Sequence, residues 1–332
     1  MDGDADADAL HRAAVVVDAH ADTVLALEAG RDFYGGGGAG HVDLPRLRAG
    51  GVNVQIFALY IEPAYKPERA LARVLVLRDR LLRTFAAGGG AVRLCRDAGE
   101  LDAALSAGQL AAVLSVEGGE AIGGDLALLR ALHDLDVRAM GLTWNQRNAI
   151  ADGAGEDRAQ GGLTAFGQRV VAEMDRLGMV VDVSHLCARA FWDVVESGGR
   201  PRFASHSNCR ALCDHVRNLD DAQIRALAMV DGVMGMNFFA DFLDADPQRA
   251  DVARVCDHID HVCDLVGPRH VGLGSDFDGI GRTPRGLEDV GRLPALTREL
   301  VRRGYRRSDI EAILGGNVLR LLRSVWSAAA GG

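Results

Sequence analysis

The sequence predicts an α/β protein with a single (β/α)8 TIM-type barrel over residues 1–332. Two observations support this fold class. Buried strands and amphipathic helices alternate about eight times, and the helices can serve as right-handed crossovers between parallel strands. No stretch of linker composition divides the chain, whose residues are 48% hydrophobic and so provide enough apolar surface for one large core. A doubly wound open sheet is the alternative architecture.

Runs of β-branched and apolar residues mark the predicted strands, and apolar residues at helical spacing mark the helices. The first strand begins with three consecutive valines, and Gly88 follows the first long helix, as expected of a helix end. Ser308 and Glu311 have the spacing of a capping box, which predicts that a helix begins there. The predicted strands are Val15–Thr23, Val52–Leu59, Val92–Leu94, Leu110–Gly119, Val137–Thr143, Met179–His185, Arg202–His206, Gly232–Phe238 and His270–Asp276. The predicted helices are Pro67–Phe85, Ala98–Ser106, Leu126–Leu135, Thr164–Leu177, Ala188–Glu196, Asp220–Met229, Ala250–Val266, Pro294–Arg303, Ser308–Ile313 and a last one ending at Trp326.

Charge and composition exclude several classes of protein. The net charge of −9, with 37 basic residues, argues against nucleic acid as a partner. No apolar run is long enough to span a membrane, and the acidic start of the chain does not have the pattern of a secretory signal. The six cysteines form no Cys-x-x-Cys pair. We therefore expect a cytoplasmic protein that binds neither nucleic acid nor membranes.

Polar residues of metal-binding type follow the predicted strands where the strands end. His20 and Asp22 end the first strand, and they share one face because alternate side chains of a strand point the same way. Four other strands end in a single such residue, namely Glu117, His185, His206 and Asp276. In a barrel these carboxyl ends converge on one face, where such folds place their chemistry. The pattern predicts one site at that face.

The residue types at these strand ends indicate the kind of site. Imidazole and carboxylate groups without thiolates suit zinc, manganese or iron. Three histidines and three carboxylates are too many ligands for one tetrahedral ion, whereas two ions that share a bridging carboxylate would use them all. The sequence therefore predicts a hydrolytic site with two divalent metals.

The motifs that carry these residues resemble those of the membrane (renal) dipeptidase family of the amidohydrolase superfamily. They occur in the family's order and span nearly the whole chain: Asp18-Ala19-His20-Ala21-Asp22, Ser115-Val116-Glu117-Gly118-Gly119, Asp182-Val183-Ser184-His185, Ser205-His206-Ser207 and Gly274-Ser275-Asp276-Phe277-Asp278-Gly279. The resemblance implies a (β/α)8 barrel with two Zn²⁺ per chain. It also implies which residues bind them: His20, Asp22 and Glu117 hold one zinc, and Glu117 bridges to a second held by His185 and His206.

The resemblance further implies the roles of residues around the metals. Asp276 would accept a proton from the water between the ions and pass it to the leaving amine. Arg217 matches the family's arginine for the substrate carboxylate, which a guanidinium can pair bidentately. The family's animal members have a substrate-binding histidine where this chain has Trp144. An indole donates a hydrogen bond but does not titrate, so Trp144 could keep this contact, or Asn145 could replace it.

The leading functional hypothesis is a binuclear zinc dipeptidase that acts on dipeptides with a free carboxylate, including a D-residue at the second position. The alternatives are an N-acyl amino acid deacylase, a lactone or β-lactam hydrolase on the same metals, and a metal-binding barrel without catalysis. The expected partner is a small dipeptide, and a homodimer is possible because relatives are often dimers. Among other polar residues, Asp278 is expected to shape its turn, and His215 is a candidate for lining the substrate pocket.

Overall fold

The structure is a computed structural model that describes residues 2–327. Its strands form one parallel sheet. The strands are β1 (Val16–Ala21), β2 (Val52–Tyr60), β3 (Val92–Leu94), β4 (Leu110–Glu117), β5 (Val137–Gly141), β6 (Val180–Asp182), β7 (Phe203–Ser207), β8 (Val233–Met236) and β9 (Val271–Leu273). All of them except β3 close into a ring, in which β2 pairs with both β1 and β4 and β1 pairs with β9. β3 pairs with the start of β4 outside this ring. The predicted (β/α)8 barrel is confirmed.

Most of the helices connect consecutive strands. The helices are α1 (Asp2–Ala13), α2 (Thr23–Glu28), α3 (Leu44–Ala49), α4 (Ala70–Ala87), α5 (Ala98–Ser106), α6 (Leu126–Asp134), α7 (Ala165–Leu177), α8 (Ala188–Glu196), α9 (Asp221–Met229), α10 (Ala240–Leu243), α11 (Val252–Val266), α12 (Pro294–Arg302), α13 (Arg307–Glu311) and α14 (Asn317–Trp326). The first of these was not predicted. It packs against α12, where His11 Nδ1 lies 2.7 Å from the Thr297 hydroxyl.

Six predicted strands end two or three residues earlier in the structure than in the sequence interpretation, and two of these differences concern site residues. The strand predicted over Met179–His185 covers only β6, and the one predicted over His270–Asp276 covers only β9. His185 and Asp276 have φ angles of 66° and 62°, in the left-handed region, which a β-strand cannot include. The predicted site residues therefore lie on turns just after these two strands.

The predicted capping box at Ser308 is wrong. The helix α13 begins at Arg307, its N-cap residue is Arg306, and no side chain caps its first turn. A single π-helical turn at Ala312–Gly316 then leads into α14. A β-carbon at Gly315 would lie 2.2 Å from the Val15 carbonyl oxygen, so this turn packs against the chain leading into β1 as closely as only glycine permits.

The barrel interior is apolar near the amino ends of the strands and polar near their carboxyl ends. Inward-facing residues such as Val17, Val54, Val113 and Val233 form a buried cluster, and α14 covers it with an apolar face. The cluster does not extend to the carboxyl ends of the strands, where polar side chains fill the interior. Among the described residues the six cysteines form no disulfide, and no helix has the length and hydropathy of a membrane span.

Candidate metal centre

The predicted metal ligands converge at the carboxyl ends of the barrel strands, and all are buried. His20 lies on β1, and Asp22 follows this strand directly. His20 Nε2 lies 3.5 Å from Asp22 Oδ2 and 3.5 Å from Glu117 Oε2. Asp276 Oδ1, from the turn after β9, is 4.0 Å from the same nitrogen. These four side chains form the first half of the site.

The second half of the site surrounds Oε1, the other carboxylate oxygen of Glu117. Glu117 Oε1 is 2.9 Å from His185 Nε2 and 3.8 Å from His206 Nε2. The two imidazoles come from the turn after β6 and from β7. Because its two oxygens face different groups of ligands, Glu117 occupies the position of a bridging carboxylate between the two halves.

The hydrogen bonds of the two histidines indicate their tautomers. His185 Nδ1 lies 2.8 Å from the carbonyl oxygen of the Asn145 side chain, which only accepts, so Nδ1 carries the proton. His206 Nδ1 lies 2.7 Å from the Ser205 hydroxyl, whose own proton is donated to Asp182. His206 Nδ1 must therefore also donate. In a neutral imidazole each Nε2 then presents a lone pair.

These lone pairs provide the test of whether the site suits a metal. The Nε2 atoms of His185 and His206 are only 2.9 Å apart, and two lone pairs at this distance repel each other. Burial, together with the charge of Arg217, lowers the pKa of His185 to about 3, and burial together with the charge of His20 lowers that of His206 well below its ordinary value. A proton between them is therefore unfavourable, whereas a cation would be coordinated by both.

The first half of the site also fits a cation. His20 Nε2 and Asp22 Oδ1 are buried and have no protein hydrogen-bond partner. Burial lowers the pKa of His20, but the charges of Glu117 and Asp22 outweigh this effect and raise it well above its ordinary value. Burial and the charge of Glu117 raise the pKa of Asp22 to about 8. Without a cation, this half of the site retains protons. A divalent ion would replace them, so the donor set fits two metal ions.

Two aspartates hold the strand ends in the same way. Asp182 accepts hydrogen bonds from both the backbone N–H and the hydroxyl of Ser205, the residue before His206. Asp18 accepts the same pair of bonds from Ser275, the residue before Asp276, at 2.8 and 2.7 Å. The sequence interpretation gave these four residues no role, although all of them lie in the quoted motifs. The signal that could have found them is a serine directly before a site residue at a strand end.

Asp276 lies beside the predicted metal ligands, on the turn after β9. Its Oδ2 accepts a hydrogen bond from Asn237 Nδ2 at 2.8 Å, which leaves Oδ1 facing the metal ligands. Burial raises its pKa to about 6, with the charge of His20 acting in the opposite direction. Asn237 follows β8 and was not predicted, because an asparagine after a strand has no distinctive pattern in the sequence. The nearby Asp278 instead accepts bonds from Arg31 and from the His41 backbone, which shapes the turn as expected.

Arg217, Trp144 and Asn145 line one cavity with the metal ligands, and its volume is about 310 Å³. Arg217 is buried, its Nη2 donates to the His206 carbonyl at 3.2 Å, and its Nε has no protein partner. Burial lowers its pKa to about 10, so it is cationic at neutral pH. Asn145 reaches both the cavity and His185. His215 is not among the residues lining this cavity; its ring packs on Phe242.

The fold and this site define a metal-dependent hydrolase of the (β/α)8 barrel class. Residues 4–331 match the family model of membrane dipeptidases, peptidase family M19. The chain belongs to this family and is therefore a metallopeptidase of the dipeptidase class. It is 38% identical to dipeptidase aclJ of Aspergillus oryzae over 87% of this chain and 71% of that one. It is 34% identical to dipeptidase 3 of Rattus norvegicus over 86% of this chain, which spans 59% of the rat protein.

A solved structure shares this architecture. The metallopeptidase of Rhodobacter sphaeroides, liganded with a phosphinate mimic of the dipeptide L-Ala-D-Ala, superposes with a TM-score of 0.89. The two chains are 32% identical, and the match covers 94% of this chain and 99% of the other.

Proposed function

We propose that this protein is a binuclear zinc dipeptidase that hydrolyses dipeptides with a free carboxylate, including those with a D-residue at the second position. The observation that carries the proposal is the division of ligands about Glu117. His20 lies 3.5 Å from one of its oxygens and 3.5 Å from Asp22, and the facing lone pairs of His185 and His206 lie at the other oxygen. This arrangement offers two adjacent cation positions.

Metal ions bound there would act as Lewis acids. They would polarise a substrate carbonyl and lower the pKa of a bound water to near neutrality. The protein's own contribution to proton transfer comes from Asp276. Asn237 fixes one oxygen of this carboxylate, and the other points toward the ligands, where it can take a proton from the attacking water. The same oxygen can then protonate the leaving amine.

Arg217 provides the recognition of a free carboxylate. It is a buried cation that donates to the His206 carbonyl and has its Nε directed to no protein acceptor. An incoming carboxylate would accept from this guanidinium and compensate its burial. A cavity of about 310 Å³ is suited to a substrate as small as a dipeptide. The D-residue is proposed because the related Rhodobacter structure holds a mimic of L-Ala-D-Ala.

A substrate panel measured on zinc-loaded enzyme tests the proposal. It pairs L,L and L,D dipeptides with the same compounds N-acetylated, and with N-acyl amino acids and lactones. Turnover of free dipeptides that acetylation abolishes supports a dipeptidase, whereas faster turnover of N-acyl amino acids supports a deacylase. Metal analysis of the same sample should give about two zinc ions per chain. A fully loaded protein that turns over no compound would refute the enzymatic function.

A further inference from the structure

Lys66 is the only lysine in the chain, although 37 of its residues are lysine or arginine. It lies in the loop after β2, and its side chain is only 9% exposed. Its ammonium group is 3.1 Å from Glu120 Oε1, and the Glu120 side chain is 3% exposed. Neither residue lines the metal cavity, and the proposed hydrolysis uses neither charge. Burying two charges is costly, so this ion pair calls for an explanation.

The ion pair lies beside the aromatic wall of the metal cavity, which consists of Tyr60 and Trp144. Both residues line the cavity, and their ring centres are 5.4 Å apart. Lys66 Nζ lies 5.3 Å from the centre of the Trp144 ring and 5.9 Å from that of Tyr60. Both distances are within the range of a cation–π interaction, which is strongest where the cation is shielded from water. One buried charge therefore contacts both rings of the wall, and Glu120 holds this charge in place.

The type of cation at this position matches such a role. A lysine ammonium is a compact charge, whereas a guanidinium is a planar fork suited to pairing with a carboxylate at two points. Lys66 Nζ has Glu120 on one side and two rings to contact, an arrangement that suits the compact group. In the described part of the chain this nitrogen has no partner with hydrogen-bond geometry. The rings therefore contribute to the compensation for its burial.

We propose that Lys66 and Glu120 are positioning residues, which hold the aromatic wall in place and thereby set the affinity for the substrate. Trp144 connects the ion pair to the metal centre, because its ring centre is also 5.9 Å from that of His185. His185 itself is fixed by Asn145 at 2.8 Å, so loss of the ion pair should disturb the wall rather than the metal ligands. The effect on substrate rests on the proposed dipeptidase function, whereas the placement of the rings does not.

Three variants of the zinc-loaded enzyme test the proposal. Lys66→Met removes the ammonium group at similar side-chain length, Glu120→Gln leaves it unpaired, and the double variant removes both charges. Each should raise KM for L-Ala-D-Ala, and the Kd of its phosphinate mimic, by about tenfold, with kcat little changed. In enzyme labelled with 5-fluorotryptophan, the Trp144 fluorine signal can be assigned through Trp144→Phe. Its shift between H₂O and D₂O should increase in all three variants, because the ring becomes more exposed to solvent.

The double variant separates positioning from a merely structural role. It leaves no unpaired buried charge, so it should regain most of the unfolding free energy that the single variants lose. Its KM and fluorine shift should stay altered, because the cation is still absent. Arg202→Met is the matched control. Its buried guanidinium pairs with Asp175 at 2.6 Å just before β7, at the opposite end of the barrel, so its loss should reduce stability without moving either readout.

Recovery of wild-type KM and mimic affinity in the double variant, together with stability, would overturn the proposal. So would a KM and a mimic Kd within about twofold of wild type in Lys66→Met, or an equal change of the fluorine shift in Arg202→Met. The mimic titration and the fluorine signal need no turnover. An enzyme that binds the mimic but hydrolyses no dipeptide would therefore refute the dipeptidase function alone.

Discussion

The Ser205 hydroxyl should control how well the site holds metal, and Ser205→Ala tests this. The hydroxyl accepts from His206 Nδ1 at 2.7 Å and donates to Asp182, so it connects the Asp182 carboxylate to the imidazole of a proposed metal ligand. The substitution removes both bonds but leaves the backbone N–H of residue 205 on Asp182 at 3.0 Å. Loss of such a partner behind a ligand typically weakens metal affinity by about 10- to 100-fold, which corresponds to about 1.4–2.8 kcal/mol.

The assay is the zinc dissociation constant, measured by competition with a chromogenic chelator. Ser275→Ala is the control, because its hydroxyl donates to Asp18 at 2.7 Å and accepts from the Phe277 N–H at 3.1 Å but contacts no imidazole. Both variants should lose similar stability in the metal-free state, about 1–2 kcal/mol by denaturant unfolding. Only Ser205→Ala should show the large loss of zinc affinity. Zinc binding within twofold of wild type would show that Ser205 does not orient His206.

Three further predictions concern the reaction and the charges of the site. Asp276→Asn should retain both metals by elemental analysis but lower kcat by about 10²–10⁴-fold, and wild-type turnover would remove Asp276 from proton transfer. Arg217→Met should mainly raise KM for dipeptides with a free carboxylate, with no added loss for their amides; an unchanged KM would mean that another group holds the carboxylate. Zinc binding at pH 7 should release protons, because the raised pKa values of His20 and Asp22 keep both groups protonated in the metal-free protein. Calorimetry in buffers of different ionisation enthalpy should show this release falling as the pH rises past 8, where Asp22 has lost its proton beforehand; a release independent of pH would contradict these assignments.

The sequence predicted the barrel and the convergence of its polar residues because both follow from local patterns. Valine-rich runs such as the start of β1 identify buried strands, and a histidine or carboxylate at the end of five of the runs marks their carboxyl ends. Closure of the barrel then brings those ends together. The same patterns misplaced the ends of β6 and β9, because the left-handed turns at His185 and Asp276 depend on contacts with residues distant in the sequence, Ala154 and His20.

The supporting residues could not be predicted, since their roles arise from tertiary contacts. Asn237 supports Asp276 across 39 positions of sequence, and Asp18 holds Ser275 across 257. Asn145 is a residue that was predicted to lie in the site but whose contact with His185 was not predicted. It was expected at the substrate, and the structure shows it at 2.8 Å from His185, where it also fixes the tautomer of that ring.

The left-handed turns connect the fold to the chemistry. A non-glycine residue in this region costs about 1–2 kcal/mol, and such strain persists only where surrounding contacts hold it. At Asp276 the backbone N–H donates to the His20 carbonyl at 3.0 Å, and at His185 the carbonyl accepts from the Ala154 N–H at 2.7 Å. Both turns bring a side chain to the metal ligands at the carboxyl ends of the strands. If the strand continued in extended conformation, the same side chain would lie beyond these ligands. Glycine at either position would relieve the strain and remove the functional group, so the strained conformation is explained by the placement of the imidazole and the carboxylate at the metal centre.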